Sequence, residues 1–162
     1  MTVFVKPSIA PQPRNLLVRF LSVGLAGVFV IIALAQLFTF DELVEVIPAS
    51  GLPLAGGFEY ALIPLIVAAE VFALPFLLTM TVSVAFRWLS MFCGWFVAAA
   101  WVIISGYLLV NSMDVVNTGI VGMVVEVGGV ATFIVGLALT VLVAWASWGL
   151  WPARSRAKVI EK

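Results

Sequence analysis

Four times in 162 residues the chain runs for eighteen or more positions on almost nothing but apolar side chains. Each run is long enough to cross a hydrocarbon core of about 30 Å as a helix. That feature removes most of fold space, because a segment in lipid must satisfy its own backbone N–H and C=O groups, which leaves helices or a closed barrel. The runs show no alternation of period two, so helices are expected. Composition agrees: 64% of residues are hydrophobic, 10% are charged and the mean hydropathy is +1.25, outside the range of a soluble domain of this length.

The expected architecture is all-α, an integral membrane four-helix bundle with spans at about residues 15–40, 58–83, 86–111 and 122–151. Residues 1–14 form an N-terminal tail and residues 152–162 a basic C-terminal tail, leaving no room for a second domain. The first span does not read as a cleaved signal peptide. Pro7, Pro11 and Pro13 precede it, it is longer than an h-region, and no small-residue cleavage site follows.

Charge is segregated along the chain. Lys6, Arg14 and Arg19 precede or open the first span, Arg87 lies between the second and third, and Arg154, Arg156, Lys158 and Lys162 follow the fourth. Asp41, Glu42, Glu45, Glu59, Asp114 and Glu126 lie at the opposite ends. Basic residues in short loops are retained on the cytoplasmic side. Both termini are therefore expected in the cytoplasm, in a multi-pass protein of the cell inner (cytoplasmic) membrane with its two longer loops outside. Trp88, Trp145, Trp148 and Trp151 fall near the inner interface, where amphipathic rings concentrate, whereas Trp95 and Trp101 lie deeper and read as packing residues.

The outside loops differ in character. DELVEVIPASGLPLAGG opens as a short amphipathic segment, a helix or hairpin lying on the outer surface, before its Pro and Gly residues break it. SMDVVNTGIVGMVV is only mildly polar. Its Val115, Val116, Ile120, Val121 and Met123 are expected to dip into the interface, to extend the fourth helix outward, or to dock on a partner.

One acid departs from the pattern. Glu70 sits about twelve residues into the second span, roughly 18 Å along its axis and past the middle of the hydrocarbon. Inserting an acid there costs about 2.5 to 3.5 kcal/mol. Such residues face the bundle interior or a hydrated cavity and count as functional candidates by default. No Lys or Arg is available at that depth, so an internal ion pair is not expected, and a neutral carboxyl can donate a hydrogen bond instead. Gln36, Ser105, Tyr107, Thr132 and Thr140 are the candidate partners on other helices. Glu59, eleven positions earlier, returns to nearly the same helical face, unless Pro64 kinks the helix between them. Three readings stand side by side: Glu70 as hydrogen-bonded glue between helices, as a ligand, proton or quinone site, or as a contact to another subunit. The candidate ligand or proton site is Glu70, Glu59 and Gln36; the candidate partner surface is Asp41, Glu42, Glu45, Asp114 and Glu126.

Several chemistries are set aside. The chain has no histidine, which excludes His-ligated haem and argues against zinc or copper. Its single cysteine, Cys93, cannot form an intramolecular disulfide and reads as a small buried hydrophobe. Gly94 and Ala98 are four apart on the third span and form a small-residue surface for close helix approach, as do Gly128, Gly129 and Gly136 on the fourth. No nucleotide loop, nucleophile triad or metal signature is seen. No catalytic residue and no resident cofactor or metal is expected, and nucleic acid is not an expected partner.

The order of motifs resembles the DoxX family, and especially its MauE-like branch of four-helix membrane proteins. RFLSVGLAG opens the first span and ALAQLF closes it; SGLPLAGG follows outside; LIVAAEVFALPFLL places a glutamate at the centre of the second. The resemblance covers roughly residues 15 to 110. Glu70 matches the glutamate typical of the second helix, while Gln36 stands where many members carry a lysine, a departure that argues against a charge pair there. The resemblance implies association with redox systems, as a small subunit of a quinone-linked oxidoreductase or as a factor helping a disulfide-containing partner mature. Without paired cysteines the chain would serve as anchor, quinone-facing surface or binding platform. The leading expectation is a non-catalytic accessory or assembly subunit contacting lipid and another membrane or extracytoplasmic protein. The alternatives are a redox-linked component binding quinone or relaying protons through Glu70, and a small transporter, against which the single deep charge and the lack of repeat symmetry argue.

Overall fold

The computed structural model describes residues 12–49, 58–111 and 116–151, without the side chains of residues 46–49 and 59. Among the described residues the regular structure is helical apart from one short extended segment. The order is α1 (Leu16–Phe38), α2 (Phe40–Ala49), α3 (Phe58–Leu77), α4 (Val84–Val110), β1 (Ile120–Met123) and α5 (Gly129–Gly149). Four of the helices, α1, α3, α4 and α5, are long and apolar enough to cross a membrane.

Each long helix divides into an inner and an outer face at helical spacing. On α1 the buried residues Val18, Ser22, Leu25, Phe29, Ile32 and Gln36 recur every three or four positions, while Phe20, Ile31 and Phe38 are exposed. On α4 the inner stripe includes Gly94, Val97, Ala98, Trp101, Ile104 and Ser105. The four helices pack as a ring, α1 against α3, α3 against α4, α4 against α5, and α5 back against α1. Gly94 and Ala98 are both buried, so the small-residue surface of the third span faces the interior.

Local signals set the helix starts. Asn15 Oδ1 accepts from the Val18 N–H at 2.9 Å and Ser83 Oγ from the Phe86 N–H at 3.2 Å, each satisfying a donor with no partner inside its helix. The second spanning helix, expected to reach residue 83, stops at Leu77. The turn that follows holds Thr79 at φ +52°, and Ser83 opens α4 at Val84 rather than at residue 86.

The largest departure is at the fourth span, which begins at Gly129 and not at Gly122. Residues 116–127 instead fold back as a cap over the end of the bundle where α1 finishes. Asn117 Oδ1 accepts from the Gly119 N–H at 2.9 Å, an Asx turn, and from the Val127 N–H at 3.4 Å. Thr118 donates to the Val127 carbonyl from both its N–H and its hydroxyl, and its hydroxyl is also bonded to that of Thr132. Gly122 has φ +59°, and a Cβ there would lie 2.5 Å from the Ala35 carbonyl oxygen, so the backbone is left-handed at this close approach and only glycine fits. Ile120 is fully buried, which places part of the apolar loop inside its own bundle. The first outside loop opens with α2, whose Leu43 is fully buried while Asp41, Glu42 and Glu45 are exposed.

Candidate functional site

Helical register brings three polar side chains from three helices to the interior. Gln36 continues the inner stripe of α1, Glu70 that of α3 after Ile63, Ile66 and Val67, and Trp101 that of α4 after Gly94 and Ala98. All three are 0% exposed. The hydrogen-bonding groups that bear on the Glu70 carboxyl are those of Trp101 and then of Gln36. Neither contact reaches hydrogen-bond geometry. Four buried side-chain atoms among the described residues lack a partner, and all belong to this trio: both Glu70 carboxyl oxygens, Gln36 Oε1 and Trp101 Nε1. Buried polar atoms are otherwise almost always paired, so their concentration in one place marks it.

Gln36 also reaches outward. Its Nε2 donates to the Ile120 carbonyl at 2.9 Å, tying α1 to the cap across 84 positions of sequence. Three residues on, Thr39 Oγ1 accepts from the Met123 N–H at 2.8 Å. The last turn of α1 therefore holds the cap and contributes to the buried centre at once.

The other expected partners of Glu70 are used elsewhere. Ser105 Oγ donates to the Trp101 carbonyl, one turn back on its own helix. Thr132 bonds Thr118, and Thr140 donates to the Gly136 carbonyl at 2.9 Å. Tyr107 is half-buried, and its carbonyl accepts from the Asn111 side chain. Glu59 is the second residue of α3, but its side chain lies outside the described residues, as does Asp114. Asp41, Glu42, Glu45 and Glu126 are all exposed, on α2 and the cap, at one end of the bundle. Cys93 is half-buried on α4.

Trp101 is the residue that sequence reasoning missed. Both Trp101 and Trp95 pack in or against the core as the sequence implies, and Trp95 Nε1–H also donates to Ser147 Oγ at 3.1 Å; the place of the Trp101 indole beside Glu70 is the unforeseen part. The signal for Trp101 is its place on the stripe Gly94, Ala98, Trp101, Ser105, spaced four, three and four residues apart on the face that the small residues mark as interior.

The opposite end of the bundle gathers cations and aromatic rings. The Arg14 guanidinium lies 4.0 Å from the centre of the Trp148 ring, and Trp88 meets Trp151 edge-on at 5.2 Å. Arg19 is exposed on α1, and Arg87 is buried with its Nη2 donating to the Val82 carbonyl.

Fold and site together define a class: a chain with four helices long and apolar enough to cross a membrane and, among the described residues, the Glu70 carboxyl enclosed between them. No family model, no curated protein and no solved structure matches this chain.

Proposed function

We propose that the protein is a multi-pass subunit of the cell inner membrane, with both termini cytoplasmic, serving as a non-catalytic accessory or assembly subunit of a membrane protein complex. The observation that carries this reading is the anchored cap. Gln36, Thr39 and Thr132 pin residues 117–123 to the bundle, and beside them Val116, Val124 and Val125 are left exposed together with Glu126 and the acids of α2. A patch of apolar side chains with carboxylates at the same end of the bundle suits a partner that brings its own apolar and basic groups. The DoxX-like and MauE-like order of motifs supports a redox-associated complex. Affinity purification of the tagged chain in mild detergent tests it. A stoichiometric partner should copurify, and should be lost when Asp41, Glu42, Glu45 and Glu126 are all changed to Lys. A monomer free of partners, or a complex indifferent to those four changes, counts against it.

The buried trio favours a second reading, a redox-linked component that binds quinone or relays protons through Glu70. An acid kept inside an apolar bundle at such cost is a functional candidate. Glu70→Gln should abolish turnover of the parent complex while leaving the amount of assembled protein unchanged; full turnover removes this reading. A small transporter has no observation in its favour beyond the same acid.

A further inference from the structure

Gln36 has two ends that face different things. One hydrogen of its Nε2 goes to the Ile120 carbonyl of the cap. Its Oε1 is buried and has no donor, the two Glu70 oxygens have none, and the Trp101 Nε1–H has no acceptor. Turning the Gln36 amide round does not help, because Oε1 would then meet the Ile120 carbonyl, acceptor against acceptor. Beside the second hydrogen of Gln36 Nε2, the site therefore holds three acceptor atoms and one donor atom without a partner.

One proton on Glu70 balances the set. The carboxyl O–H can donate to Gln36 Oε1, while the other carboxyl oxygen accepts from Trp101 Nε1–H. Every unpaired atom then has a complementary group, and small side-chain shifts bring the contacts into hydrogen-bond geometry. We propose that Glu70 is a proton-bearing carboxyl positioned by Trp101 and Gln36, and that Gln36 transmits its state to the cap through a continuous relay: Glu70 O–H, Gln36 amide, Ile120 carbonyl. This deepens the second reading above.

The coupling has a direction. An amide that accepts at its oxygen becomes a better donor at its nitrogen, so the protonated acid tightens the hold on Ile120. Once the proton leaves, the carboxylate repels Gln36 Oε1 and competes with Ile120 for the Nε2 hydrogens. The cap then loses its grip on α1. The elements packed against α3 are α1, α2 and α4. Arg19, Asp41, Glu42 and Glu45 on the first two are exposed at the bundle ends. On α4, Arg87 bonds the Val82 carbonyl in the turn before that helix, and Cys93 and Tyr107 are half-buried.

Two measurements on the purified full chain in mild detergent test the relay, and neither uses turnover. Infrared spectroscopy at neutral pH should show a protonated-carboxyl C=O band that is absent from Glu70→Gln and shifted in frequency in Trp101→Phe and in Gln36→Leu. Hydrogen exchange of the backbone amides of residues 117–123 should be about tenfold faster in Glu70→Ala and in Gln36→Leu, the effect of losing one link. It should stay near wild type in Glu70→Gln, whose side-chain amide donates to Gln36 Oε1 and accepts from Trp101. The absence of a Glu70-dependent band overturns the proposal, and so does cap exchange in Glu70→Ala equal to that of the wild type. If Gln36→Leu fails to fold, the Glu70→Gln and Glu70→Ala pair still decides. Failure here leaves the second reading to its own turnover assay.

Discussion

Single positions in this chain carry constraints that hydropathy does not register. Gly122 combines φ +59° with an approach to the Ala35 carbonyl that would put a Cβ 2.5 Å away. Gly122→Ala should therefore cost about 1–3 kcal/mol in backbone strain alone, read as a fall in the thermal unfolding midpoint in mild detergent. Thr79 is the converse, a β-branched residue held at φ +52° in the turn between α3 and α4. Thr79→Gly should raise the same midpoint, by a relief of about 1 kcal/mol; a fall would mean that the threonine side chain, not its backbone, holds the turn. Glu70 was legible from sequence because an acid inside an apolar run is expensive, and Gln36 because it was one of few polar groups on the first span. Trp101 was not, because an indole in an apolar helix satisfies a packing role equally well. Its N–H acquires meaning only once the register of α4 against α3 is known, and no single helix encodes that register.

Among the elements, α3 and α4 meet at a proline. Beside Pro75, which sits inside α3, the Phe76 N–H donates to Ser90 Oγ on α4 at 2.9 Å. Proline is tolerated inside a membrane helix where neighbouring helices supply partners to backbone groups, and Ser90 is such a partner. Ser90→Ala should destabilise the chain by about 1 kcal/mol, whereas Ser147→Ala, which leaves a half-buried indole N–H able to find another acceptor, should cost less; unfolding midpoints of the two variants make the comparison. The four long helices could be read from sequence because length and apolarity are properties of contiguous segments. The cap could not. Residues 120–128 are as apolar as a helix end, and the turn signals Asn117-Thr118-Gly119 and Gly122 lost to the hydropathy of the valines around them. What decides the outcome is a contact 84 positions distant, from Gln36 to Ile120.

For the molecule as a whole, the ring of helices separates two unlike ends, one with Arg14, Arg19 and a group of tryptophans, the other with the acids of α2 and the cap. The proposed orientation places the first end in the cytoplasm. Reporter fusions at either terminus should then be active for a fluorescent protein that folds in the cytoplasm and inactive for a phosphatase that needs export; an active phosphatase at either end reverses the assignment. The last turn of α1 also gives the architecture a mechanical property. Gln36 and Thr39 both grip the same loop, and the Ala35 carbonyl lies where a Cβ on Gly122 would collide with it. A modest rotation of that one helix about its long axis would carry both fingers off together, so any neighbour able to twist α1 from the lipid side also holds the key to the roof.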